Sequence, residues 1–269
     1  MAPVWDLDPV IFQVPGLGLP VRYYGLIFGL VLVGGFFLFR RQILRGRGTD
    51  DEAFDFLLPG VLGVVLGARF GHVFFYNLDR LLADPAWLFR IWEGGLASHG
   101  AAAGLALALF HHSRRWKRPF WDVCDRFSFS AALGATLVRL GNFLNSEIVG
   151  RITDSRFGLR FPRYDHLPPE LTPARFPSQL LEFGLGLAVL GTLFWLDARL
   201  GREKRPQGLL TAAFLIMYFT GRFLVEFVKE RHGQVDSFIL SRGQLLSLPG
   251  LVLGLALLWF VRQKPRAEY

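Results

Sequence analysis

"YYGLIFGLVLVGGFFLF" occupies residues 23–39 and contains no charged side chain. It has no polar face at any helical spacing, and it stops against Arg40 and Arg41. A helix that is apolar all round is either the core of a large protein or a membrane span. A span needs roughly 20 predominantly apolar residues. Similar blocks recur along the chain, and 52% of its 269 residues are hydrophobic although 19% are charged. The charges gather between the blocks. The chain therefore reads as an all-α polytopic membrane protein, a single integral membrane domain over residues 1–269.

Seven transmembrane helices are expected, at residues 24–39, 54–76, 94–111, 121–137, 179–196, 208–227 and 245–261. Gly63, Gly67 and Gly71 recur on one helix face, a spacing that lets another backbone approach closely. Arg40, Arg41, Arg45 and Arg47 follow the first span. Arg114, Arg115, Lys117 and Arg118 follow the third; Arg199, Arg202, Lys204 and Arg205 follow the fifth. Arg262, Lys264 and Arg266 close the tail. With seven spans these all fall on one side, which the positive-inside rule makes cytoplasmic. The other side also carries arginines, in 139–178 and 222–242, but long loops weigh little in that rule. The expected topology is N-terminus out and C-terminus in. The start "MAPVWDLDPVIF" carries acids where a cleaved signal peptide would carry bases. Residues 150–177 are rich in proline and arginine, too polar to span and too long for a turn. They are expected to form a small extracytoplasmic head between spans four and five.

Several classes drop out. The lone Cys124 allows neither an internal disulfide nor a paired-cysteine metal site. His72, His99, His111, His112, His166 and His232 lack metal-ligand spacing, so no metal and no cofactor are expected. The net charge of +8 comes with no nucleic-acid motif, and its basic residues sit largely in short loops. No nucleic-acid partner is expected; the membrane is.

Charged groups inside or beside spans mark functional sites by default. In "VRLGNFLNSEIVGR", residues 138–151, Arg139, Asn142 and Asn145 fall near one face if the fourth helix continues, with Glu147 beyond them. Gly141 and Gly150 allow close approach or a turn. An arginine fork suits phosphate oxygens. Asparagines can hold ester or hydroxyl oxygens, and Glu147 can orient the arginine or act as a base. A plain polar helix end fits the same residues.

In "MYFTGRFLVEF", Tyr218, Arg222 and Glu226 share a face near the end of span six, where Arg222 and Glu226 can pair across one turn. That arrangement serves either as an internal ion pair or as a second phosphate-facing arginine. His99 stands among small residues in "GGLASHGAAAG", which leaves room for a ligand beside an imidazole suited to proton transfer. A structural histidine fits there too. Tyr23 and Tyr24 at the start of span one fit an interfacial aromatic belt, or Tyr24 donates a hydrogen bond into the site. Arg69 and His72 read as polar interior or snorkelling groups. "DVCDR", residues 122–126, reads as a helix-start charge pattern, and His111 and His112 as solvated.

The stretch "RLGNFLNSEIVG" resembles the signature of the prolipoprotein diacylglyceryl transferases, R-x-[GA]-N-F-x-N-x-E-x-x-G. "RYYGL", "GGLASHG", "PSQLLE" and "YFTGRFLVEF" are similar to further blocks of that family, in the same order. The chain departs from the pattern at Val138, Phe176 and Leu181. The resemblance implies an enzyme of the bacterial cytoplasmic (inner) membrane with its active site on the outer side. Its donor would be phosphatidylglycerol and its acceptor the lipobox cysteine of a prolipoprotein signal peptide, joined as a thioether with release of glycerol phosphate. It implies catalytic roles for His99, Arg139, Arg222, Glu147 and Glu226. It implies substrate binding by Tyr24, Asn142, Asn145, Tyr218 and Gln179. His99 is the first choice of general base, with Glu147 and Glu226 as competitors. On physics alone, a transporter for an anionic solute or another phosphatidylglycerol-using lipid transferase fits the same charges.

Overall fold

The computed structural model describes residues 2–16, 18–230 and 240–263. His232, residues 231–239 of the basic stretch 222–242, and the tail charges Lys264 and Arg266 lie outside the described residues. The chain is mostly helical. Among the described residues six segments are long and apolar enough to cross a membrane: Tyr23–Arg45, Asp50–Tyr76, Phe120–Leu144, Ser178–Arg199, Leu209–Val228 and Arg242–Gln263. Many large apolar side chains on them are exposed, Phe37 at 58% and Val252 at 64% among them, as lipid-facing residues are.

The expected third span is a helix of 18 residues, Ser98–Arg115, but it is not one of these six. Its composition explains the difference. Alanines and glycines fill its first half, and His111, His112, Ser113, Arg114 and Arg115 close it. Small side chains add little apolar surface.

The chain divides into two compact units, Met1–Leu38 with Phe127–Tyr269, and Phe39–Arg126. The division falls within α1 (Tyr23–Arg45) and α6 (Phe120–Leu144).

In the Phe39–Arg126 unit, the short helix α2 (Asp50–Asp55) is capped by the Thr49 hydroxyl, which accepts from the Glu52 amide. It leads into α3 (Leu57–Tyr76). The short helix α4 (Leu78–Ala83) and two 3₁₀ turns, Pro85–Phe89 and Ile91–Glu93, connect to α5 (Ser98–Arg115). The expected glycine face closes α3 against α5: a Cβ on Gly104 would overlap the carbonyl oxygen of Gly63, and one on Gly100 that of Gly67. Arg69 is a structural interior group. It is 2% exposed, and its guanidinium donates to the carbonyls of Leu88, at 3.0 Å, and Gly94, at 2.6 Å. The His72 imidazole is 2.9 Å from the Asn77 amide nitrogen. His112, expected to be solvated, is 1% exposed and packs edge-on against Phe39 and Phe56. A position next to a basic loop suggests solvation, but Phe39, Phe56 and Trp116 enclose the ring. Asp122 accepts from Arg126 Nε at 2.8 Å, one turn apart, the helix-start pattern expected.

In the other unit, β1 (Val10–Gln13) and β2 (Pro20–Arg22) form a hairpin before α1. Beyond α6 lie β3 (Leu159–Arg160), α7 (Pro162–Asp165) and β4 (Ala174–Arg175), followed by α8 (Ser178–Arg199), α9 (Leu209–Val225) and α10 (Arg242–Gln263). Phe129 and Ala132 of α6, Val189 and Leu193 of α8 and Leu210 of α9 make its buried core. The Ser130 hydroxyl donates to the Gly35 carbonyl of α1 at 2.7 Å. Gly186 takes α8 close to Thr136, and Gly254 takes α10 close to Leu215 and Ile216.

Residues 150–177 fold around the antiparallel pair β3–β4 and engage the N-terminal segment. Trp5 N–H donates to the Arg160 carbonyl at 2.8 Å, and its indole donates to the Phe143 carbonyl at 3.0 Å while stacking on the Phe143 ring. Asp165 accepts from Arg175 Nε at 3.0 Å, and Glu230 pairs with Arg175 at 2.9 Å. Burial, with the Glu230 carboxylate next to it, pushes the Tyr164 phenol up to about 12.

Candidate active site

The end of α6 sets the site. Asn145 is the last residue of the turn, and Ser146 takes the left-handed conformation at φ 53°. Ser146 N–H donates to the Phe143 carbonyl at 3.0 Å, and Glu147 N–H to the Asn142 carbonyl at 3.0 Å. This pair of bonds is a Schellman cap, which normally places glycine where Ser146 stands. Ile148 is left-handed as well, at φ 56°. A non-glycine residue pays roughly 1–2 kcal/mol for that conformation, and such strain persists where the surroundings over-determine it. Here it folds Glu147 back over α6. Asn142 Nδ2 donates to Glu147 Oε1 at 2.9 Å, and Asn145 Nδ2 reaches the same oxygen at 3.5 Å.

The start of α8 holds this loop from the other side. Gln179 Nε2 donates to the Glu147 carbonyl at 2.7 Å, and the Ser178 hydroxyl donates to the Ile148 carbonyl at 2.8 Å. Gly150 admits the carbonyls of Phe176 and Val228 where a Cβ would clash. A Cβ on Gly141 would come within 3.0 Å of the Tyr24 ring. Both glycines thus do what their sequence positions suggested.

Arg139 is the centre of charge. Its NH1 donates to Asn142 Oδ1 at 3.3 Å, and its Nε lies 3.3 Å from Glu182 Oε2. Tyr218 and Tyr24 stand close enough to act on it electrostatically. Lys229 Nζ donates to Glu182 Oε1 at 3.0 Å and lies 3.5 Å from Glu226 Oε2. The Ser241 hydroxyl donates to Glu226 Oε1 at 3.0 Å. Glu182 is 4% exposed and Asn142 3%, so these charges balance one another with little help from water.

The structure thus brings together Tyr24, Arg139, Asn142, Asn145, Glu147, Gln179 and Tyr218 within one unit. Arg222 is half-buried and has no hydrogen bond or ion pair among the described residues. Of the two arrangements the sequence left open, the Arg222–Glu226 ion pair does not form. Glu226 still sits one helical turn past Arg222, its N–H donating to the Arg222 carbonyl, but its carboxylate turns to Lys229 and Ser241. His99 belongs to the other unit, at the start of α5. Its ring meets the edges of Phe75, at 5.0 Å, and Tyr76, at 5.8 Å. Its Nε2 is buried without a hydrogen-bond partner among the described residues.

Glu182 and Lys229 join this network although the sequence reading does not include them. A signal existed for each: a glutamate in the first turns of an apolar helix, and a lysine three residues past Glu226. Among the described residues there is no cluster of metal-ligating side chains.

Two comparisons bear on this arrangement. The family model described as prolipoprotein diacylglyceryl transferase matches residues 9–260. The phosphatidylglycerol–prolipoprotein diacylglyceryl transferase of Vibrio cholerae serotype O1 is 41% identical over 260 residues, 94% of this chain and 91% of its own length. The protein of that name from Actinobacillus pleuropneumoniae is 38% identical over 267 residues, 97% of each chain. The one from Aeromonas salmonicida is 37% identical, covering 97% of this chain and 92% of its own.

Proposed function

The chain belongs to the prolipoprotein diacylglyceryl transferase family, and from that premise we propose how its residues perform the transfer. The enzyme moves the diacylglyceryl group of phosphatidylglycerol to the thiol of a prolipoprotein's lipobox cysteine, the first step of lipoprotein maturation. It is a multi-pass membrane transferase. The sulfur attacks the glycerol carbon that bears the phosphate oxygen. A C–S bond forms, the C–O bond breaks, and glycerol phosphate leaves with the electron pair. The thiol's proton passes to a base.

Charge therefore develops on phosphate as the bond breaks. Arg139 is the group that meets it, with half-buried Arg222, unpaired among the described residues, as a second donor. A fixed donor aimed at developing charge is worth about 3–4 kcal/mol in a dry site. Asn142 and Asn145 hold Glu147 and, with Tyr24, Tyr218 and Gln179, shape the headgroup pocket. His99 is the general base; its buried Nε2 has no other commitment among the described residues. Glu226 steadies Lys229. The observation that carries this reading is the Arg139–Asn142–Glu147 chain of contacts, which joins the residues of the family signature into one part-buried polar group.

The topology belongs to the same proposal. α5 crosses as a seventh span, residues 150–177 form the extracytoplasmic head, the N-terminus lies outside and the C-terminus inside. The alternation of basic helix ends supports this. The active site then opens to the outer side of the bacterial inner membrane. Residues 1–269 act as a single transferase domain, a reading supported by a family match that runs through both units. Purified protein incubated with phosphatidylglycerol and a lipobox peptide tests the function. Mass spectrometry should find diacylglyceryl on the peptide's cysteine; an unmodified peptide beside intact lipid would refute it.

A further inference from the structure

Resting on that lipid-transfer reading, we propose that Glu182 is a positioning residue that holds Arg139 until the lipid's phosphate takes its place. Glu182 is buried and shared between two cations, but unequally. Lys229 Nζ donates a hydrogen bond to Oε1 at 3.0 Å. Arg139 Nε stands 3.3 Å from Oε2 as an ion pair, and Oε2 accepts no hydrogen bond among the described residues. The lysine contact is the tight one and the arginine contact the loose one. Arg139 can therefore leave while Glu182 keeps a partner, which a buried carboxylate needs.

The local charges give that movement a purpose. Among the described residues Arg139 and Lys229 stand in one network with Glu147, Glu182 and Glu226. These carboxylates already occupy the two cations before any ligand arrives. A phosphodiester brings one negative charge and becomes a monoester with a second when the C–O bond breaks. A site whose cations are so occupied attracts the ground-state lipid weakly. Handing Arg139 from Glu182 to the phosphate concentrates the attraction where charge develops, and interactions stronger in the transition state are the ones that raise kcat. Glu182 touches no reacting atom in this account; it acts through Arg139.

The test uses the detergent-solubilised full chain, dioleoylphosphatidylglycerol in mixed micelles, a lipobox peptide, and glycerol 1-phosphate as product inhibitor. Glu182→Gln removes the competing charge and keeps the shape. It should lower KM for the lipid severalfold and tighten inhibition by glycerol 1-phosphate, while kcat falls; Glu182→Asp should restore kcat. An unchanged or raised KM in Glu182→Gln overturns the proposal, because loss of packing alone would cut kcat without tightening anion binding. Lys229→Met decides the matter if Glu182→Gln does not accumulate. It leaves Glu182 to Arg139 alone, so KM should rise, and an unchanged or lower KM overturns the proposal. A wild-type enzyme that transfers no lipid overturns the function itself, and this proposal with it.

Discussion

Arg139 of α6 and Glu182 of α8 form an ion pair, Nε to Oε2 at 3.3 Å, that ties the end of the signature helix to the start of the next long helix. Neither side chain is well exposed, at 12% and 4%. An arginine so placed within an apolar segment is costly to keep, and catalysis is the reason offered for keeping it. Arg139→Ala should lower kcat/KM by about 10²–10³-fold, the effect of losing one aimed donor. Arg139→Lys should recover little of it, since an ammonium does not reproduce the planar fork. Thioether formation, normalised to folded protein in the membrane, checks both.

Asn142 stands between Arg139, to which it presents Oδ1, and Glu147, to which it donates from Nδ2. Asn142→Asp would put a carboxylate where Glu147 now accepts a hydrogen bond, and like charges at that distance repel. It should therefore be the more damaging change, worse than Asn142→Ala in both activity and thermal stability. Equal loss in the two variants would mean that the amide's donor is not what matters.

The base assignment has its own signature. A thiol reacts as thiolate, so an acceptor already ionised at neutral pH needs no base. His99→Ala should lose transfer to a cysteine peptide and regain much of it with a selenocysteine peptide. Arg139→Ala should gain nothing from the same exchange, because its defect lies at the leaving phosphate. If selenocysteine leaves His99→Ala inactive, the base is another group.

The α3–α5 seam can be tested apart from chemistry. Gly104→Ala forces a methyl into the Gly63 carbonyl, and overpacking of this kind costs typically about 1–3 kcal/mol. Gly184→Ala in α8 meets nothing within 4 Å and should be neutral or slightly stabilising. Thermal unfolding in detergent compares the two.

In α7, the Tyr164 hydroxyl donates to Glu230, and the phenol is raised to about 12 by burial and that carboxylate. A group whose pKa is higher in the folded than in the unfolded state lends stability below its unfolded value, about 10. That contribution is lost as pH climbs toward 12. The wild type should lose stability faster than Tyr164→Phe between those limits, read as the pH dependence of the melting temperature. Parallel curves would show that the bond contributes nothing.

Much of this was legible in the sequence, for physical reasons. Uncharged blocks such as residues 23–39 announce themselves because lipid tolerates little else. Arg139, Asn142, Asn145 and Glu147 stood out because such groups are expensive beside those blocks. α5 read as a span but carries too many small and basic residues to match the other six in apolar character; its glycines serve contact with α3 rather than with lipid. The hairpin β1–β2 and the turns between α3 and α5 are too short to leave a periodic signal. Helical spacing allowed Arg222 to pair with Glu226, and the backbone keeps that spacing, but Lys229 and Ser241 take the Glu226 carboxylate, contacts that spacing alone does not reveal. Glu182 and Lys229 went unseen as a pair because their meeting depends on tertiary contact across 47 residues.

The most direct measurement is the position of the phosphorus atom in a structure of the enzyme with phosphatidylglycerol bound. The account places phosphate oxygens at about 2.7–2.9 Å from the Arg139 guanidinium, the distance of a charge-assisted hydrogen bond. A headgroup lodged elsewhere, with Arg139 still committed to Glu182, would contradict it.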